Sequence, residues 1–154
     1  MKARSGRPPV NSGAIQKQNP PNPTRQTSKS SVSPAHATIL IVDDEPNIAD
    51  FLCLLLEDEG YRVCRAADGL QAIDVIELVA PALVISDVTM PGLGGEDLAR
   101  RVVVGMFRPS PRIILMSAME RPKNSWNVPF IGKPFDIDKL LGLVDEQMGQ
   151  PILH

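Results

Sequence analysis

The chain has 154 residues, which is enough for one domain of ordinary size and too few for two. Its 18 acidic and 16 basic side chains give a net charge of −2, which excludes a protein that binds nucleic acid through its overall charge. No apolar run approaches the roughly 18 residues of a membrane-spanning helix, and the two cysteines, Cys53 and Cys64, lie in apolar stretches, which indicates no disulfide framework and fits a reducing cytoplasm.

Residues 1–37 differ in composition from the rest of the chain. They carry six basic and no acidic side chains, so the remaining residues have a net charge of −8. They also contain six prolines and few large apolar residues, a pattern that cannot form an amphipathic helix or a core. We predict a disordered basic extension, rich in proline and serine, which serves either as a tether to an acidic partner or nucleic acid or as a solubilising tail.

The first predicted elements follow directly. Residues 38–42 are a continuous apolar run, which is typical of a strand buried on both faces of a parallel sheet. Pro46 stands at a first helical position, and the apolar residues after it recur at helical spacing. Gly60 is expected to end this helix. Residues 61–66 then predict a second strand.

A second helix and a third strand come next. Asp68 is suited to cap the helix, whose predicted buried face consists of small and branched apolar residues. These are Ala72, Ile73, Ile76, Val79 and Ala80. Pro81 ends the helix, and residues 82–86 predict a third strand that runs straight into Asp87.

The alternation continues to the end of the chain. Leu98, Val102 and Met106 predict one face of a third helix. Residues 112–116 and 128–131 predict a fourth and a fifth strand. Between these strands, residues 119–127 show no apolar helical period, so we expect the helix at this place, the fourth helix of the alternation, to be reduced or absent. Apolar residues at helical spacing predict a final helix; they are Ile137, Leu140, Leu141, Val144 and Met148.

Strands that alternate with helices form right-handed crossovers and hence a parallel sheet covered by helices on both faces. Pro129 cannot donate a hydrogen bond within a sheet, so the fifth strand should lie at an edge. The predicted fold is therefore α/β, a flavodoxin-like, doubly wound, five-stranded parallel sheet of order 2-1-3-4-5.

Carboxylates follow two of the predicted strands. Asp43 and Asp44 follow the first strand, and Asp87 follows the third. In this strand order the two strands flank the point where the order reverses, which is where such folds bind ligands. Converging carboxylates repel one another unless a cation neutralises them, and Mg²⁺ prefers oxygen ligands. The pattern predicts a site for Mg²⁺ (or Mn²⁺); the simpler alternative is that Asp43 and Asp44 only cap the following helix.

Two further strand ends carry side chains suited to a phosphoryl group. Ser117 follows the fourth strand and Lys133 follows the fifth. A hydroxyl and an ammonium beside a metal site are explained if a phosphoryl group sits on Asp87. Lys133 would then bind one phosphoryl oxygen, Ser117 a second and the metal ion the third.

These strand ends carry four blocks that resemble the signature blocks of bacterial response-regulator receivers. The blocks are Val42-Asp43-Asp44-Glu45, Asp87-Val88-Thr89-Met90-Pro91-Gly92, Met116-Ser117-Ala118 and Lys133-Pro134-Phe135. The resemblance is to stand-alone receivers of the chemotaxis-regulator kind and covers residues 38–148. It implies that Asp87 is the phospho-acceptor and that Asp44, Asp43 and the Thr89 carbonyl hold the metal. It also implies a cis Lys133–Pro134 bond and a switch role for Phe130.

The resemblance implies a single-domain response regulator that receives its phosphoryl group from a histidine kinase or a histidine phosphotransfer protein. We expect residues 149–154 to be a short tail, with no DNA-binding domain and no membrane partner. Self-phosphorylation and dephosphorylation would be the only chemistry, so the chain is not expected to be an enzyme. The alternative is a pseudo-receiver, an interaction module of the same fold that is not phosphorylated.

Overall fold

The computed structural model describes residues 37–123 and 126–149. The predicted extension, apart from Ala37, and all but the first residue of the predicted tail lie outside the described residues. The five strands are β1 (Thr38–Val42), β2 (Arg62–Ala66), β3 (Leu83–Asp87), β4 (Arg112–Ser117) and β5 (Phe130–Gly132). The helices are α1 (Pro46–Asp58), α2 (Gly69–Val79), α3 (Gly95–Val103) and α4 (Ile137–Gly149).

All strands pair in parallel, in the order β2-β1-β3-β4-β5, which confirms the predicted topology. The register aligns the carboxyl ends of the central strands. Val42 pairs with Ser86, and Asp87 pairs with Met116. Ser117 pairs with Gly132 on the short edge strand β5. Residues that follow β1, β3, β4 and β5 therefore meet at one edge of the sheet.

The sheet separates two layers of core residues, as expected for strands that are apolar on both sides. One layer lies beneath α1 and α4 and includes Leu52, Ile85 and Val144. The other lies beneath α2 and α3 and includes Ala72 and Leu98. Among the described residues, no helix is long and apolar enough to cross a membrane.

Two apolar residues of the predicted buried face of α2 are exposed, and Ile73 is half-buried against the core. Ala72 and Ile76 are buried as predicted, but Val79 and Ala80 are exposed. The helix ends at Val79, and Ala80 adopts a left-handed conformation with φ of 50°. The prediction was wrong for these two residues because helical spacing gives the direction of a side chain but not the residue at which the helix ends or stops packing on the core.

A similar correction applies to α3. Leu98 and Val102 are buried, but Met106 is exposed and lies beyond the end of the helix. Gly105, with φ of 76°, turns the chain directly after α3. A left-handed residue ends the helical path, so the apolar spacing continued past the point where the helix stops.

The segment between β4 and β5 contains no helix in its described part, residues 118–123 and 126–129. These residues form turns and bends, and the Arg121 guanidinium donates a hydrogen bond to the Val128 carbonyl at 2.9 Å. Trp126 and Asn127 have φ of 54° and 57°. The sequence predicts a reduced or absent helix in this segment, and its described residues agree with that prediction. The fourth helix along the chain, α4, is present and follows β5.

Candidate functional site

Three carboxylates converge at the carboxyl edge of the sheet. Asp43 and Asp44 lie between β1 and α1, and Asp87 is the last residue of β3. One oxygen from each of the three lies within 4.8 Å of the others. Asp43 and Asp87 are buried, while Asp44 is exposed. The structure therefore brings together the three acidic side chains that the sequence predicts as metal ligands.

Lys133 reaches into this cluster from the end of β5. Its ammonium donates a hydrogen bond to Asp43 Oδ2 at 2.9 Å and lies 3.5 Å from Asp87 Oδ1. The peptide bond to Pro134 is cis, as predicted, and the Lys133 amide donates to the Ser117 carbonyl at 2.7 Å. One positive charge thus faces two buried carboxylates and the exposed Asp44, which leaves the cluster with excess negative charge.

Burial and charge act together on the titration of this cluster. Burial raises the pKa of the Asp87 carboxyl, the nearby Lys133 ammonium partly opposes this rise, and the charge of Asp43 adds to it. Burial by itself would lower the pKa of Lys133, but its hydrogen bond to Asp43 and the charges of both aspartates outweigh burial, so the pKa is raised. Lys133 is therefore a positive charge at neutral pH.

Ser117 is the last residue of β4 and is buried. Its hydroxyl oxygen accepts a hydrogen bond from the Met119 amide at 3.0 Å. Because the oxygen acts as acceptor in this bond, the hydroxyl proton is left to donate to another group. Ser117 stands one residue beyond Met116, the pairing partner of Asp87, so it belongs to the same edge of the sheet.

The remaining two predicted residues are Thr89 and Phe130. Thr89 is exposed and follows Asp87 by two positions in the loop between β3 and α3. Phe130 is half-buried at the start of β5, where its side chain packs against the core layer beneath α2 and α3. The structure thus places Phe130 in the packing beside β5.

Several backbone groups that hold the site were not predicted. The Glu45 amide donates to Asp43 Oδ1 at 2.9 Å. The tight turn after Asp87, in contrast, is one that the glycines there do indicate, and Gly92 makes it with φ of 75°. Gly95 has a separate reason: a Cβ there would overlap the Asp87 carbonyl oxygen. A glycine as the first residue of a helix is the signal that could have indicated this close approach.

A groove opens beside the cluster between the amino end of α1 and the segment after β5. It has a volume of about 530 Å³. Most of its lining is apolar, and it includes the site residue Lys133. The lining residues are Glu45, Asn47, Ile48, Phe51, Ala118, Lys133, Pro134 and Phe135.

Comparisons with known proteins agree with this geometry. The family model described as the response regulator receiver domain matches residues 39–145. The chain is 34% identical over 116 residues to sporulation initiation phosphotransferase F of Bacillus subtilis, covering 71% of this chain and 92% of that protein. It is 40% identical over 106 residues to the response regulator GtcR of Aneurinibacillus migulanus, covering 69% of this chain but only 37% of that protein.

A solved structure extends the likeness to the fold. The response regulator protein TrrA from Thermotoga maritima, in complex with Mg(2+)-BeF, is 32% identical to this chain and superposes with a TM-score of 0.66. The match covers 72% of this chain and 98% of that structure.

Proposed function

This chain belongs to the response regulator receiver family of two-component signalling, and on that premise we propose that it is a phosphorylation switch with Asp87 as the acceptor. The observation that carries the proposal is the placement of Asp87. It is buried at the carboxyl end of a central strand, beside an ammonium 3.5 Å away and within reach of two further carboxylates. A purely structural ion pair would need only one of these acids.

The residues present fit a bound Mg²⁺ (or Mn²⁺). Asp43, Asp44 and Asp87 supply carboxylate oxygens, and one ammonium does not balance their charge. The Thr89 carbonyl follows in the adjacent loop and completes the proposed ligand set. The metal ion would neutralise negative charge on the phosphoryl oxygens. The solved relative TrrA holds Mg(2+)-BeF, which supports the same ion here.

The proposed transfer uses Asp87 as the nucleophile. A carboxylate oxygen of Asp87 attacks the phosphorus of a phosphohistidine; the bond from phosphorus to the imidazole nitrogen breaks, and the imidazole keeps that electron pair. The second ring nitrogen of the phosphohistidine carries a proton during the transfer, so the products are an aspartyl phosphate and a neutral imidazole. Lys133 is placed to hold one phosphoryl oxygen by charge, and Ser117 to donate its hydroxyl proton to another. In this proposal the gain and loss of the phosphoryl group are the only chemistry of the domain, which makes it a switch.

The donor we propose is a histidine kinase or a histidine phosphotransfer protein, and we place the exchange in the cytoplasm. The name of the Bacillus subtilis relative, sporulation initiation phosphotransferase F, supports a role in phosphoryl transfer. The groove beside Lys133 gives such a donor an apolar surface next to the acceptor. Phosphorylation would then change which downstream protein the domain binds.

A pseudo-receiver is the second candidate. The observation that favours it is the segment between β4 and β5, whose described residues form turns and no helix. A domain that signals by other means would need neither Asp87 nor Mg²⁺ for its interactions.

Incubation with acetyl phosphate separates the two candidates. We expect the protein to gain one phosphoryl group in the presence of Mg²⁺ and none in the presence of a chelator. Intact-mass spectrometry measures the gain directly. No gain at any Mg²⁺ concentration, with a known receiver modified under the same conditions, would establish the pseudo-receiver instead.

Mg²⁺ should also stabilise the folded domain, because the folded state brings three carboxylates together and the unfolded chain does not. At ten times its dissociation constant the ion is expected to contribute about 1.4 kcal/mol, which raises the melting temperature by several degrees. Asp44→Asn should remove most of this rise. Asp74→Asn removes the same charge from the exposed face of α2 and should keep it. Thermal scans that do not change across millimolar Mg²⁺ would show that the cluster binds no ion.

A further inference from the structure

Gly69 occupies a position where glycine needs an explanation. It is the first residue of α2 and is buried. Glycine in a helix is less favourable than alanine by roughly 1 kcal/mol. Its backbone lies outside the left-handed region that would require glycine, since among the described glycines only Gly60, Gly92 and Gly105 have positive φ. The reason for a glycine must therefore be space.

The space is taken by one residue, Leu93. A Cβ on Gly69 would overlap the Leu93 carbonyl oxygen and would lie 2.8 Å from both Leu93 Cβ and Leu93 Cδ2. Leu93 belongs to the loop between β3 and α3, the loop that begins directly after Asp87. The first turn of α2 thus packs directly against this loop at Leu93.

The loop is closed at its other end. The Gly95 amide donates to the Val88 carbonyl at 3.0 Å, and the Val88 amide donates to the Met116 carbonyl at 2.8 Å. Met90 is buried in the core layer beneath α2 and α3. Residues 89–94 therefore form a loop with a fixed base, and Gly69 supports it at Leu93. Thr89 lies inside this loop.

The helix side of the contact is rigid. The Gln71 amide donates to Asp68 Oδ1 at 2.8 Å, and the Ala67 amide donates to Gln71 Oε1 at 2.7 Å. These two bonds resemble a capping box, except that Gln71 accepts from Ala67, the residue before the N-cap Asp68, and they fix the first turn of α2. A side chain at Gly69 would meet a backbone carbonyl, which cannot rotate away as a side chain does. The loop would have to move instead.

We propose that Gly69 is a positioning residue for the metal site. Because it leaves room for Leu93, it lets the loop that carries Thr89 lie close to α2 and so sets the position of that loop. The inference rests on the proposed function, since Thr89 is a ligand only if the site binds Mg²⁺. Gly69 itself contacts neither metal nor phosphoryl group. Its influence passes through Leu93 and the backbone from there to Thr89.

The test measures Mg²⁺ affinity in the full chain without any phosphodonor. Gly69→Ala should raise the Mg²⁺ dissociation constant about tenfold or more, the usual effect of disturbing groups that orient metal ligands. Gly60→Ala is the matched control. It strains a residue with φ of 97° at the end of α1 and adds a Cβ that meets nothing within 4 Å. That control should lower the melting temperature and keep the wild-type Mg²⁺ affinity.

A second readout does not depend on the metal. In the metal-free protein, Gly69→Ala should shift the backbone amide resonances of residues 88–94, and Gly60→Ala should not. If the wild type binds no Mg²⁺, the proposed function fails, while the resonance shifts still decide whether Gly69 holds the loop. Unchanged shifts or an unchanged dissociation constant in Gly69→Ala would overturn the positioning role.

Leu93→Ala keeps the inference testable if Gly69→Ala does not fold. This variant removes the half-buried side chain that rests on Gly69 and adds no atom. It should weaken Mg²⁺ binding several-fold, because the loop loses its support. Wild-type affinity in Leu93→Ala would show that packing of the Leu93 side chain beside Gly69 has no effect on the site.

Discussion

Replacement of Asp87 by asparagine is expected to abolish phosphorylation by acetyl phosphate. The amide has nearly the same shape as the carboxylate but is a far weaker nucleophile, so the domain should fold and the reaction should stop. Folding is expected to persist because the Lys133 ammonium keeps its hydrogen bond to Asp43 at 2.9 Å. Removal of one of two buried, mutually repelling carboxylates should not destabilise the metal-free domain.

Two serine variants serve as controls for the acceptor. Both serines are buried. Ser86 precedes Asp87 and its hydroxyl donates to the Asp87 carbonyl at 2.9 Å, while Ser117 ends the neighbouring strand β4. Ser86→Ala and Ser117→Ala should both still be modified. Intact-mass spectra give the extent of reaction, and hydroxylamine, which cleaves acyl phosphates but not serine phosphates, identifies the linkage. Equal modification of the Asp87→Asn protein would place the acceptor elsewhere.

Lys133→Met should destabilise the metal-free domain by about 3–5 kcal/mol, the usual loss when one partner of a buried ion pair is removed. The side chains of Asp43 and Lys133 are 0% and 10% exposed. Without the ammonium, Asp43 and Asp87 would face each other buried and unpaired. Mg²⁺ should recover a large part of the loss, since it can neutralise both carboxylates. The variant should still accept a phosphoryl group, because the nucleophile is on Asp87, but with a weaker conformational response.

Urea unfolding with a chelator and with saturating Mg²⁺ measures both parts of this prediction. Lys139→Met is the matched control, because it removes the same charge from an exposed position on α4. The control should lose little stability, and its response to Mg²⁺ should equal that of the wild type. A Lys133→Met protein as stable as this control in the chelator would show that the buried pair contributes nothing to the metal-free fold.

Local patterns were sufficient for the elements and their order. The apolar run at residues 38–42 predicted β1, and the observed strand has the same bounds. Asp68 caps α2 as predicted, with its side chain accepting from the Gln71 amide. The strand order followed from the alternation of elements and from Pro129, which required an edge strand. Each of these features depends on neighbouring residues or on general rules of chain handedness.

Part of the candidate site could be predicted from the sequence, and part was seen only in the structure. The convergence of Asp43, Asp44 and Asp87 followed from the sequence, because parallel strands present their carboxyl ends at one edge. The pairing of Lys133 with Asp43 at 2.9 Å, closer than Asp87 at 3.5 Å, did not follow. Sequence spacing does not fix which of two adjacent carboxylates a long, flexible side chain reaches.

The sequence by itself determined which residues form strands and helices, how the strands are ordered and which side chains gather at the carboxyl edge. The tertiary structure alone decided the contacts between elements distant in the chain. The exposure of Val79 and Met106 depends on where α2 and α3 end and on what packs against those ends. The close contact of Leu93 with Gly69 depends on the distance between α2 and the loop after β3. Periodicity reports the direction of a side chain from its own helix or strand, whereas these contacts are set by the packing distance between elements, which no local pattern contains.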